Sequence, residues 1–141
     1  MQINYMLDDG AYEPIHAHEA DAGFDLRLPD FENTIIIPPE QTFTINTGVH
    51  FEIPEGYVGF IKSKSGLNVK SGIQAEGVID AGYTGSVVVK LYNNGSDFVV
   101  FEPGNKITQI VFLPIPKVEL TKVDSFKCTE RGSAGFGSTG K

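Results

Sequence analysis

The sequence predicts an all-β domain of the jelly-roll-like or distorted β-barrel kind, and three observations carry that prediction. Sixteen glycines and eight prolines interrupt the 141 residues at short intervals. Between them lie brief runs of Val, Ile, Phe and Thr with a period of two, which sends alternate side chains to opposite faces of a strand. No stretch carries convincing helical periodicity. Many short strands with regular turns mean a sandwich or a jelly-roll-like barrel.

The runs can be taken in order. Val49-His50-Phe51-Glu52-Ile53 alternates apolar with polar. Ser86-Val87-Val88-Val89-Lys90-Leu91-Tyr92 places Val87, Val89 and Leu91 on one face. Lys106 to Leu113 has the same parity, with Gln109 falling among Ile107, Val111 and Leu113. An amide on an apolar face costs free energy unless backbone or a ligand bonds it. Turn signals separate the runs: Pro38-Pro39-Glu40, Pro54-Glu55-Gly56, Asn93-Asn94-Gly95-Ser96 and Glu102-Pro103-Gly104-Asn105. Asn94-Gly95 between two β-rich runs predicts a hairpin. Ser65 to Lys70 is allowed one helical turn. The last stretch, Arg131 to Lys141, is mostly Gly, Ser and Thr and cannot build a core. The expected organisation is a β core over 1–125 and a C-terminal arm over 126–141.

Composition narrows the function. The length suits one domain with a modest core, so oligomerisation is unsurprising. A formal charge of −7 argues against nucleic acid or an anionic membrane as partner. Arg27 and Arg131 are the only arginines, so an anion site must lean on lysines and backbone N–H groups. Cys128 stands alone, which excludes an internal disulfide and argues against a structural zinc site. Neither a signal peptide nor an apolar run of spanning length is visible, and a cytoplasmic protein is expected.

Five places could hold chemistry. Asp21-Ala22-Gly23-Phe24-Asp25-Leu26 offers two carboxylates beside a glycine, able to orient a hard cation or its waters, or else a solvated loop entering a strand. His16 and His18 just before it lack further ligands and suit a polar loop. Lys62-Ser63-Lys64-Ser65-Gly66-Leu67 offers hydroxyls, lysines and backbone donors for phosphate, or a polar turn. Gly77-Val78-Ile79-Asp80-Ala81-Gly82-Tyr83-Thr84-Gly85 holds a carboxylate and a phenol in a glycine-rich turn between strands. Gln109 is the fourth. The fifth is the tail, where Gly135 to Lys141 matches G-x-x-x-x-G-K. A P-loop is excluded, because no Ser or Thr and no helix follow Lys141. Its Arg, glycines and hydroxyls still suit phosphate, and Phe136 could stack on a base.

In this order the segments DAGFDL (21–26), KSGL (64–67), GVIDAGYTG (77–85), GNKITQ (104–109) and RGSAGFGSTG (131–140) resemble the motifs of the trimeric dUTP pyrophosphatases, or dUTPases. The resemblance runs from Asp21 to the C-terminus. It implies hydrolysis of dUTP to dUMP and pyrophosphate, with Asp80 as the base that activates water against the α-phosphorus. Tyr83 would lie under the deoxyribose and exclude a 2′-hydroxyl. The backbone of Gly77, Val78 and Ile79 would read the uracil edge, with Gln74 nearby. Lys64, Ser65, Gly66 and Gln109 would hold phosphate. Arg131, Gly137, Ser138 and Thr139 would close over the phosphates, and Phe136 over the ring. Mg²⁺ would be held mainly by phosphates and water, with Asp25 orienting that shell through water or a neighbouring basic side chain. The resemblance further implies a homotrimer whose sites draw on several subunits.

The chain departs from the family's usual pattern at Lys64 and Lys106, where arginine is common. Lysine keeps the charge and loses the planar fork. The related dCTP deaminases carry a catalytic Glu at the position of Lys90, which speaks against deamination. A non-catalytic nucleotide sensor would have no need of Asp80.

Overall fold

The computed structural model describes residues 1–135. The predicted all-β class holds: the described residues form eleven strands and one short helix. The strands pair into four separate sheets, and no closed barrel is seen among the described residues.

The sheet that matters most has four strands. At its edge is β2 (Gly23–Arg27), then β11 (Lys106–Pro114), β6 (Tyr57–Lys62) and β8 (Glu76–Ile79), all antiparallel. A second sheet joins β4 (Thr42–Asn46), β9 (Val88–Asn93) and the two-residue β7 (Ile73–Gln74). Two small pairs complete the set: β1 (Asn4–Leu7) with β5 (Val49–Glu52), and β3 (Ile35–Ile37) with β10 (Val99–Phe101). The alternations seen in sequence are realised. Val49, Phe51 and Ile53 are buried, as are Val87, Val89 and Leu91, while Val88, Lys90 and Tyr92 face out. With Leu26, Leu28, Ile45, Ile61 and Ile110 they form one core. Each such side chain contributes about 1.5–3 kcal/mol by leaving water.

Two sequence expectations are corrected. Asn94-Gly95 does not close a hairpin between β9 and β10, which belong to different sheets. Instead the loop docks on the helix α1 (Ser65–Ser71). Gly72 ends α1 in the left-handed region at φ 70°. A Cβ on Gly72 would stand 2.4 Å from Gly95 N, and one on Gly95 would stand 2.4 Å from Ser71 O. Asn94 N donates to Gly72 O at 3.0 Å. The glycines are needed for close approach rather than for a two-residue turn. Buried Asn93 then redirects the chain, its amide donating to Ile37 O and Asp97 O, both at 2.8 Å.

The second correction concerns β11. Its pairing with β2 slips between Lys106 and Thr108, so Ile107 is an extra residue. The bulge breaks the parity. Ile107, Thr108 and Ile110 are buried, and Gln109 turns to the other face with Val111. The last strand ends at Pro114, and 115–135 contain neither strand nor helix.

Candidate active site

Sheet order brings three of the predicted segments together. Asp25 on β2, Gln109 on β11 and Lys64, Ser65 and Gly66 at the start of α1 line one cleft of about 400 Å³. Gly23 gives Gln109 its place: a Cβ there would stand 2.2 Å from Gln109 Oε1. Gln109 Nε2 donates to Ser63 O at 3.0 Å, so the amide's partner is backbone. Ser63 Oγ in turn accepts from Ala75 N at 3.0 Å and ties this turn to the next strand. No side chain caps α1, and the N–H groups of its first turn have no intrahelical partner. Ser65 also borders a neighbouring cleft of about 360 Å³ with Gln74, Asn68 and Glu76.

The floor of the first cleft carries the strongest electrostatic feature. Asp25 is 2% exposed. Lys64 Nζ donates to its Oδ1, and Lys106 Nζ lies 2.6 Å from its Oδ2, close but not aligned as a hydrogen bond. Burial pushes the Asp25 carboxyl up, and the two ammonium groups outweigh it, so the net shift is downward. The two positions that depart from the family pattern thus meet on one carboxylate. Lys106, singled out in the sequence as a departure from the family pattern but not placed among the expected binding residues, shares this carboxylate with Lys64. Its position opposite β2 depends on the bulge at Ile107. Both oxygens of Asp25 lie beside ammonium groups, so the carboxylate is set against basic side chains. No group of three or more His, Cys, Asp or Glu able to hold a metal ion occurs among the described residues.

The other predicted residues lie elsewhere. Gly77, Val78 and Ile79 are on β8, and Ile79 pairs with Gly59 near the start of β6. Lys64 and Ser65 follow the opposite end of β6. Asp80 follows directly on the Ile79–Gly59 pair and the cleft is already lined by Lys62, so about four residues of β6 separate them, roughly 13 Å of extended chain. The turn itself is compact. Tyr83 N donates to Asp80 O at 3.2 Å and Tyr83 Oη to Ser86 O at 3.0 Å. The ring lies across Gly85, where a Cβ would stand 2.5 Å from the phenol oxygen. Asp80 is exposed, and its carboxylate has no partner among the described residues.

Arg131 is exposed, its Nε donating to Ala134 O at 3.1 Å. Phe136, Gly137, Ser138 and Thr139 lie outside the described residues. Lys90 faces out from β9, 5.6 Å from the Tyr92 ring centroid. No helix among the described residues is long and apolar enough to cross a membrane.

A family profile for dUTPase matches residues 11–140. The chain belongs to the dUTPase family. A curated relative, the deoxyuridine 5'-triphosphate nucleotidohydrolase of Clostridium tetani, is 40% identical over 139 residues, covering 96% of this chain and 94% of its own. The dUTPase of Staphylococcus bacteriophage 80alpha, solved with dUPNHPP, is 30% identical with a TM-score of 0.88 and covers 99% of each chain. A mutant dUTPase from phage phi11 of S. aureus, described with a structural Mg(II) ion, is 28% identical with a TM-score of 0.79. It covers 89% of this chain and 99% of that one. Membership in the dUTPase family accounts for the shared order of the five segments.

Proposed function

We propose that the protein hydrolyses dUTP to dUMP and pyrophosphate, on a site that two or more copies complete. The observation that carries this is the pairing of an anion cleft with an unpartnered carboxylate in a glycine-rich turn, both on the family's motifs. Asp80 accepts a proton from water as that water attacks the α-phosphorus. An exposed carboxylate with no internal partner is free to bond it. The backbone of β8 from Gly77 to Ile79 reads the uracil edge, and the Tyr83 ring supports the deoxyribose. Unmatched polar groups reject cytosine more strongly than one methyl rejects thymine. In the cleft, Ser65, the α1 backbone donors, Gln109 and the lysines on Asp25 bind phosphate oxygens. Arg131 and the arm close over them.

Asp80 and the cleft lie toward opposite ends of β6, roughly 13 Å of extended chain apart, which favours phosphates and base being supplied by different copies. This supports a homotrimer with shared sites. No group of three or more His, Cys, Asp or Glu among the described residues forms a metal cage. Mg²⁺ accordingly enters as the counter-ion of the triphosphate, bound by phosphate oxygens and water. A cytoplasmic setting fits a nucleotide substrate.

The test is pyrophosphate release with Mg²⁺ from dUTP, against dCTP, dTTP and UTP, for the native chain and for Asp80→Asn. Turnover of dUTP alone is expected, and the variant should bind dUTP while losing at least a hundredfold in kcat. Undiminished turnover by Asp80→Asn would refute the role of the carboxylate. Ammonia release from dCTP would instead favour deamination.

A further inference from the structure

The turn that carries Asp80 and Tyr83 is gripped from outside by a histidine. His50 projects from β5, opposite Met6 of β1. Its Nδ1 lies 2.8 Å from Thr84 O and its Nε2 lies 3.1 Å from Asp8 Oδ1. A carbonyl and a carboxylate only accept, so both ring nitrogens must donate. Neutral imidazole has one N–H and imidazolium has two. The double contact is complete only in the protonated ring. Thr84 directly follows Tyr83, whose ring rests on Gly85 and whose hydroxyl is tied to Ser86 O. His50 therefore holds the middle of the segment on which the phenol stands.

We propose that His50 is a positioning residue for sugar selection, its protonated ring pinning Thr84 O and thereby fixing Tyr83. This rests on the reading of Tyr83 as the group that excludes a 2′-hydroxyl. Neutral His50 keeps only one N–H, shared between Thr84 O and Asp8, and the turn gains freedom in the fraction of rings that carry it on Nε2. The charged groups on this face are Asp8 after β1 and Glu52 further along β5, whose Oε2 accepts from Asn4 Nδ2 at 2.7 Å. Tyr5 in the same groove has its phenol pKa raised further by Glu13, so it does not titrate in this range. The contact with Thr84 raises the His50 pKa, desolvation opposes it, and Asp8 adds to the rise, for a net value above 6.5.

The test follows kcat/KM for dUTP and for UTP from pH 6 to 9, in the native chain and in His50→Gln, which keeps a donor but does not titrate. The native dUTP-to-UTP ratio should fall about fivefold through one inflection above pH 6.5, the loss expected for one ordinary hydrogen bond. The variant's ratio should be flat. A flat native ratio, or the same inflection in His50→Gln, overturns the proposal. Without substrate, the Gly85 amide signal should follow the His50 ring titration by NMR; an unmoved Gly85 signal also overturns it. A native chain inert toward dUTP at every pH would refute the catalytic reading instead, leaving the NMR titration to decide the contact.

Discussion

Replacing Asp25 by asparagine preserves the shape of the side chain and removes its charge. In the native protein that carboxylate is 3% exposed, while the two lysine side chains on it are 25% and 36% exposed. Removing one partner of a buried ion pair costs about 3–5 kcal/mol, because a charge is left without compensation. Here the uncompensated groups are lysines whose ends already reach water and can turn outward. Solvent screening therefore takes away about half, leaving a cost of roughly 2 kcal/mol. With a urea m-value of about 2 kcal/mol/M, the unfolding midpoint at pH 7 should drop by about 1 M. The pH dependence has a fixed sign. The folded pKa of Asp25 is lowered below 3.8, so its contribution is complete above that value and is lost as pH falls through the folded pKa. The difference between native and variant should stay constant from pH 7 to about 4.5 and close only in stronger acid. A difference below about 0.5 kcal/mol at pH 7, or one already closing between pH 7 and 5, would refute the electrostatic account.

Two further substitutions test the close approaches at the site. Gly85→Ala would set a methyl group 2.5 Å from the Tyr83 phenol oxygen and 2.6 Å from Cζ, forcing the ring aside. Discrimination of dUTP over UTP should fall about tenfold, with the melting temperature lowered by only a few degrees; steady-state kinetics on both nucleotides would check it. Gly23→Ala would set a methyl 2.2 Å from Gln109 Oε1, displacing the amide from Ser63 O. A stability loss of about 1 kcal/mol should accompany a several-fold rise in KM for dUTP, measured by denaturation and initial rates.

What was legible in the sequence was local. Alternation over 49–53 and 86–92 reports the two faces of a strand directly, because side-chain direction depends only on the strand's own pleat. Segment order sufficed to recognise the dUTPase motifs, which the family match over 11–140 supports. What failed depended on a partner. The parity of Gln109 was misread because a bulge at Ile107 is defined only against β2. Asn94-Gly95 has the composition of a hairpin, yet its glycine is required by the approach of Gly72, distant in sequence. The meeting of Lys64 and Lys106 on Asp25 joins three segments that only sheet order makes neighbours. His50 gave the least signal. Alternation placed it on the polar face of β5, and nothing local said that Thr84 lies across from it.

The antiparallel register of β6 and β8 has a further consequence. In the proposed arrangement, with Asp80 and the anion cleft toward opposite ends of β6, each chain supplies half of two different sites. Under the shared-site arrangement, specific activity depends on encounter between chains. Dilution should extinguish turnover while the circular dichroism of each chain persists. Two dead proteins, one lacking the base and the other lacking the cleft, should complement each other when unfolded and refolded together.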